Sequence, residues 1–247
     1  MTRELKYGKV RVVLSEDVHP ETFLAGFHGV GHVGWIAVKH VVEKLEAQRV
    51  GYLFTQYMPP FVNVRSGIRT PYELYFSQGM LIFLPNVPVS PKDFISVPEA
   101  LAELSITLGV KLSVLFGGLD ASYKEPDAKP RIAPTRAFLL SKEDLIKEKG
   151  YPVLEEHLGI VGPLAILLSV FEANNVPAVA ILPYAAADRP DPRAAAEAIK
   201  VFQEITGVRI SVEELLEQGE RLEKEVAEVE KKIKEAMRER EPPMYHV

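Results

Sequence analysis

Apolar positions along the chain fall into short runs that alternate with longer, periodic stretches. "KVRVVLS" and "TFLAGFH" are rich in β-branched and aromatic residues, and they predict strands over 9–15 and 22–28. Over 33–45 the pattern changes: Val33, Ile36, Ala37, Val41 and Leu45 fall on one side at helical spacing, which predicts a helix. "RVGYLFTQY", "YELYFSQ" and "MLIFLPNV" predict three more strands, and residues 98–108 a second helix. "KLSVLFGG" is continuously apolar, as expected of a parallel strand covered on both faces. "RAFLLS", over 136–141, reads as a strand, and Ser141 with Asp144 has the form of a capping box opening another helix. A strongly apolar helix follows over 162–175, then the strand "PAVAILPY". Asp191 before Pro192 predicts an N-cap with proline at the first helical position, and Gly207 a C-cap. Interleaving of this kind predicts an α/β domain with a mostly parallel central sheet flanked by helices. Residues 120–134, polar and carrying three prolines, read as a long loop.

Near Ser211 the pattern changes again. Ser211 and Glu214 form a second S-x-x-E pair, and beyond them the chain is charged except for one stripe. Val212, Leu215, Leu222, Val226, Val229, Ile233 and Ala236 hold the a and d positions of a heptad, with Gly219 as its weak a position. One reading is a terminal helix packed along its own domain. The other is a helix that projects and pairs with a partner helix. Pro242-Pro243 ends it and leaves Met244, Tyr245, His246 and Val247 as an exposed tail. The expected organisation is therefore an α/β core over 1–210, a heptad helix over 211–241 and a tail over 242–247.

Composition narrows the partners. Of 247 residues, 47% are hydrophobic and 26% charged, the balance of a globular protein. A formal net charge of −5 gives no ground for expecting nucleic acid or an anionic membrane. With no cysteine there is no disulfide framework, thiolate nucleophile or cysteine-based metal site. No run reaches the ~20 apolar residues of a membrane span. The first residues carry no apolar core of an export signal, so the expected location is the cytoplasm.

One segment invites a chemical reading. In "AGFHGVGHVGWIAVKH", Gly29, Gly31 and Gly34 fit G-x-G-x-x-G between a predicted strand and a predicted helix, the form of a dinucleotide-binding turn. That reading also requires an acidic residue at the end of the next strand, to hold the ribose. "RVGYLFTQY" ends in Gln56 and Tyr57, and no acid lies between Gly51 and Arg69. The alternative is structural: Gly29 and Gly31 taking positive φ in a tight corner, and Gly34 letting the helix approach the strand. His28 and His32 are four apart, but no third ligand for zinc is evident nearby. Asp188, Arg189, Asp191 and Arg193 cluster after a strand, where α/β proteins often place sites, yet capping and ion pairing explain them. No nucleophile elbow, zinc-protease helix or P-loop is present, so no catalytic residue, cofactor or metal site is predicted.

Taken together with segments elsewhere, the glycine stretch carries a resemblance. "GFHGVGHVGWIAVKHVVEKL" resembles the glycine turn and helix of the archaeal and eukaryotic proteasome assembly chaperone family, with His28 where that family usually has proline. "LFGGL", "GIVGPLAILL", "VPAVAILPYAA", "PDPRAAAEAI" and "ISVEELLEQGERLE" resemble it in the same order, from about Ala25 into the last helix. The resemblance implies a nucleoside phosphorylase-like fold without that enzyme's activity, and a chaperone for assembly of the proteasome α-ring. Its partners would be proteasome α-subunits or the α-ring, and a second copy of itself or a paralogue as an oligomer. Some archaeal members end in a hydrophobic residue, a tyrosine and one further residue, whose carboxylate pairs with a lysine between α-subunits. Met244-Tyr245-His246 matches that order, but Val247 follows, which moves the carboxylate by about 3.3 Å along an extended chain. The runner-up in another class is a nucleoside phosphorylase- or hydrolase-like enzyme using a cleft at Gly29–Gly34 and Asp188. A third reading is a structural oligomer without proteasome contact.

Overall fold

A nine-stranded sheet runs through the middle of the molecule. The computed structural model describes residues 2–64, 67–126 and 128–238, and side chains on the last helix as far as residue 228. In chain order the elements begin with β1 (Arg3–Tyr7), β2 (Val10–Leu14), β3 (Thr22–Gly26), α1 (Val33–Lys44) and β4 (Gln48–Phe54). A small hairpin, β5 (Asn63–Val64) and β6 (Ile68–Arg69), precedes β7 (Tyr72–Ser77), β8 (Met80–Pro85), α2 (Ser96–Thr107) and β9 (Leu112–Phe116). Then come β10 (Leu119–Asp120), β11 (Arg131–Pro134), α3 (Arg136–Ser141), α4 (Glu143–Lys149) and α5 (Pro163–Ala173). The chain continues through β12 (Ala178–Leu182), β13 (Tyr184–Ala185), α6 (Pro192–Thr206) and α7 (Glu213–Arg238).

The strand order is β1-β2-β4-β7-β8-β3-β9-β12-β11. β8, β3, β9 and β12 run parallel and form the centre. Antiparallel pairs extend the sheet on both sides. The α/β class expected from the interleaved pattern is the one observed.

Alternation along the central strands explains the three layers. Successive side chains point to opposite faces. Phe23, Ala25, Leu115 and Ala180 pack under α2 and α5 through Leu101, Leu104, Leu167 and Phe171. Leu24, Val114, Phe116 and Ile181 pack under α1 and α6 through Val38, Val41, Ile199 and Phe202. Phe23 meets Phe171 edge-on at 6.3 Å, and Phe116 meets Phe202 at 5.6 Å on the opposite face. With both faces covered, these strands have no polar side to show, and their sequence is apolar but for Thr22 and the buried Ser113.

Three local expectations are corrected. Residues 136–141 form α3 rather than a strand. Thr135 caps it, its hydroxyl oxygen accepting from the Phe138 N–H at 3.3 Å while also tying to β12 at Ala178. Of its apolar residues only Phe138 is buried, and Leu140 is 72% exposed. Ser141 does not cap α4. Its hydroxyl donates back to the Phe138 carbonyl at 3.1 Å, and Lys142 at the α4 N-cap makes no side-chain bond. Within the segment read as a long loop, β10, a short turn at Ala121–Tyr123 and β11 are ordered, the last as the sheet's far edge. Asp191 and Gly207 do cap α6: the Asp191 carboxylate accepts from the Ala194 N–H at 2.9 Å, and Gly207 takes φ +78°.

Candidate functional site

The predicted glycine turn is the corner between β3 and α1. Its tightest approaches are at Gly26, where a Cβ would lie 2.2 Å from the Gly34 carbonyl oxygen, and at Gly34, where it would lie 2.5 Å from the Phe116 carbonyl oxygen and 2.7 Å from the Phe27 nitrogen. The positive φ values fall on Gly31 at +59° and on His32 at +51°. Gly29 differs from expectation, with φ −117°, a value any residue adopts. The corner is filled by protein. A Cβ on Gly31 would meet Ala185, Ala186 and Asp191, and the Asp191 N–H donates to the Gly31 carbonyl at 2.8 Å. The Asp191 carboxylate accepts from the Ala186 and Ala194 N–H groups, so it locks the start of α6 onto this corner. The strand after α1 is also unlike a dinucleotide fold. β4 lies between β2 and β7, remote from β3, and pairs antiparallel with both.

His28 follows the corner's first strand. Its ring stacks on Trp35 at 4.9 Å with an interplanar angle of 24°, and the Lys39 ammonium sits 5.2 Å from the Trp35 ring. Burial, and then the charge of His32, push the His28 imidazole down to about 4, so it is neutral at physiological pH. Its Nδ1 is buried without a hydrogen-bond partner among the described residues. His28 and His32 have ring centroids 5.6 Å apart, and among the described residues no group of three or more His, Asp or Glu is placed to hold a metal.

Beyond His28 opens a cavity of about 540 Å³ at the carboxyl ends of β3, β9 and β12. This is where open parallel sheets place ligands. Its walls come from the corner (Phe27 to Val30), from Phe116 to Asp120, and from the segment leading into α5 (Leu154 and His157 to Leu164). Gly117 and Gly118 form one wall at close range: a Cβ on the first would meet Leu164 and Leu182 at 2.8 Å, and on the second the Val30 carbonyl at 2.5 Å. Asp188, Arg189 and Arg193 do not line it. Asp188 pairs with Arg189 at 3.5 Å on the surface, and Arg193 turns toward α7. The structure therefore does not bring Asp188 to the cleft that the enzyme reading needs.

The second candidate surface is α7. Leu215 and Gly219 are buried against the α/β body, and Val212 and Leu216 pack beside them. At Gly219 a Cβ would come 2.5 Å from the Arg193 Cγ: the weak heptad position is where the arginine stem crosses. Three polar contacts hold this root. His40, itself buried, places Nε2 2.7 Å from the Ser211 carbonyl; Lys44 meets Glu214 at 2.7 Å; and Arg193 meets Glu223 at 3.0 Å. The Lys44 ammonium holds the Glu214 carboxyl below the usual carboxylate range. Glu214 is thus committed to α1 rather than to a capping box, and the Ser211 hydroxyl accepts from the Glu213 N–H at 3.4 Å. Further along, Leu222 and Val226 are partly exposed. The side chains of Val229 and Ile233, and all of Met244, Tyr245, His246 and Val247, lie outside the described residues.

Sequence reading passed over the buried carboxylates Glu73 and Asp93. Glu73, on β7 and fully buried, accepts from Arg49 (2.7 Å), the Thr70 N–H (2.9 Å), the Tyr75 hydroxyl (2.7 Å) and Asn86 (2.9 Å). Every donor is in place, so this is a structural clamp on the sheet. Its only signal was a lone glutamate inside "YELYFSQ".

Three layers, a parallel centre and a filled glycine corner define a non-dinucleotide α/β fold. The chain matches the PAC2 family over residues 23–230 and belongs to that family. Two uncharacterized proteins of Methanocaldococcus jannaschii are 27% and 25% identical over 229 and 232 residues, covering 90% of this chain and 91% and 88% of theirs. Among solved structures, the fold is shared with Pyrococcus furiosus PbaA, described as an archaeal homolog of proteasome-assembly chaperone. That likeness has a TM-score of 0.75 at 23% identity, over 92% of this chain and 95% of PbaA. It is shared also with Pyrococcus furiosus PbaB, described as an archaeal proteasome activator, with a TM-score of 0.74 at 21% identity, over 91% of this chain and 100% of PbaB. Among the described residues no helix is long and apolar enough to cross a membrane.

Proposed function

We propose that this protein is a non-enzymatic, cytoplasmic proteasome assembly chaperone that binds proteasome α-subunits or the α-ring. It acts as a homo-oligomer or together with a paralogue. The observation that carries this reading is the PAC2 family match across most of the chain, which takes in the β3–α1 corner and most of α7. The PbaA and PbaB likenesses support it at the level of fold. Met244, Tyr245, His246 and Val247 form the partner-binding tail, and Leu222, Val226, Val229 and Ile233 the stripe that carries it; Leu215, assigned to the same stripe from the sequence, is instead buried against the α/β body and roots the helix there. Several weak tails presented together gain through effective concentration what each lacks alone.

Binding to isolated α-subunits and to assembled α-rings, measured with the full chain and with residues 244–247 deleted, tests this directly. The expected result is binding by the full chain and a loss of at least tenfold on deletion. Equal binding by both forms removes the tail and keeps the chaperone. Binding by neither overturns the reading. Sedimentation of a chain ending at residue 210 tests the stripe, with an unchanged mass assigning the oligomer contact to the α/β body.

A further inference from the structure

The cavity beyond His28 holds two glycines that neither the backbone nor the packing requires. A Cβ on Gly29 or on Gly159 would have nothing within 4 Å, and neither residue has a positive φ. Both line the cavity, and they contrast with Gly117 and Gly118, where a Cβ would strike the wall. Both positions are exposed as well as lining the cavity, so a larger side chain there would meet no protein atom at its Cβ.

The walls also define what fits. The rings of Phe27, Phe94, Tyr123 and His28 contribute to the lining, and the polar side chains there are His28, Asp120, Tyr123 and His157. Among the described residues no lysine or arginine lines the cavity, so an anion finds no counter-charge there. The Asp120 carboxylate is exposed and already accepts from the Ser122 N–H at 2.8 Å. Tyr123 and His157 are exposed as well, which leaves His28 Nδ1 as the buried, unpartnered polar atom among the described lining side chains, its ring fixed by the stack on Trp35. As a neutral imidazole protonated on Nε2, it offers Nδ1 as an acceptor. An unpaired buried acceptor costs free energy that a donor from a ligand recovers.

We propose that the cavity at the carboxyl ends of β3, β9 and β12 binds a small, uncharged aromatic heterocycle that donates its N–H to His28 Nδ1. The volume, about 540 Å³, lies within the range of small-molecule sites. No described residue of α7 lines this site, and its test is independent of proteasome binding.

Indole, 1-methylindole and benzoate are suitable probes, titrated calorimetrically against the full chain. Wild type is expected to bind indole about five- to tenfold more tightly than 1-methylindole, which lacks the donor, and to bind benzoate least. His28→Phe keeps an aromatic ring against Trp35, so it is expected to bind the two indoles alike. Gly159→Phe fills open space and is expected to weaken both. The proposal is overturned by failure of wild type to bind indole at millimolar concentration, by equal affinity for the two indoles, or by a preference that survives in His28→Phe. Tighter binding of benzoate overturns the uncharged class, and unaltered binding in Gly159→Phe overturns the location.

Discussion

Gly34 on α1 and Gly219 on α7 present the same distance and opposite situations. At each, a Cβ would come within 2.5 Å of another atom. At Gly34 the neighbours are backbone, the Phe116 carbonyl and the Phe27 amide, held by the central strands of the sheet. At Gly219 the neighbour is the Cγ of Arg193, part of a side chain 44% exposed. A close contact costs what its neighbour cannot give up. Packed sheet backbone cannot move without disturbing its hydrogen bonds, whereas the Arg193 stem can shift by a change of χ1 at the cost of its exposed pair with Glu223. The α/β body and α7 therefore differ in how tightly each position specifies its residue.

That contrast is most sharply tested at Gly34. Gly34→Ala is expected to destabilise the fold by about 3 kcal/mol or more, as overpacking against fixed atoms does. For a chain of this size the melting temperature would fall by roughly 6–12 °C. A calorimetric shift under ~2 °C would mean that α1 slides freely on the sheet, and the comparison would lose its basis. An intermediate effect is expected at His28. Its folded pKa, about 4, lies below the ordinary 6.5, so the unfolded chain binds the proton more readily between those values. Stability from this group is whole above pH 6.5 and is lost as pH falls toward 4. Melting profiles across that window should decline more steeply for wild type than for His28→Phe, and parallel declines would show that His28 is not desolvated. The smallest effect belongs to Gly219→Ala. A helix-propensity gain of ~1 kcal/mol opposes displacement of the Arg193 stem, so the melting temperature should stay within about 2 °C of wild type. A fall as large as that at Gly34 would show α7 to be as rigidly seated as α1.

The same contrast explains which parts were legible in the sequence. Central strands announced themselves because both faces are buried, and α6 because Asp191, Pro192 and Gly207 punctuate it with local chemistry. The β3–α1 corner was legible as a glycine turn, but the role of each glycine was not. Gly29 and Gly34 look alike in a string, and only the positions of Phe116, Ala185 and Asp191, all distant in sequence, separate them. Residues 136–141 misled because six apolar-rich residues carry too little period to tell helix from strand. The deciding bond, from Thr135 to β12, is a tertiary contact. A cleft was expected at Gly29–Gly34 and Asp188, and Gly29 does line the cavity, but the rest of its wall was not legible because it comes from segments far apart in sequence, among them Phe116 to Asp120 and His157 to Leu164.

The seating of α7 has a mechanical consequence. From Gly219 to Arg238 the helix runs about 28 Å at 1.5 Å per residue. It is a lever whose pivot is the cluster of His40, Lys44 and Arg193. A tilt of about 10° at that pivot sweeps the far end through roughly 5 Å, about the length of a helical turn. A few side chains on α1 and α6 thus set the direction of the helix as far as Arg238, and small changes in their contacts are amplified along it.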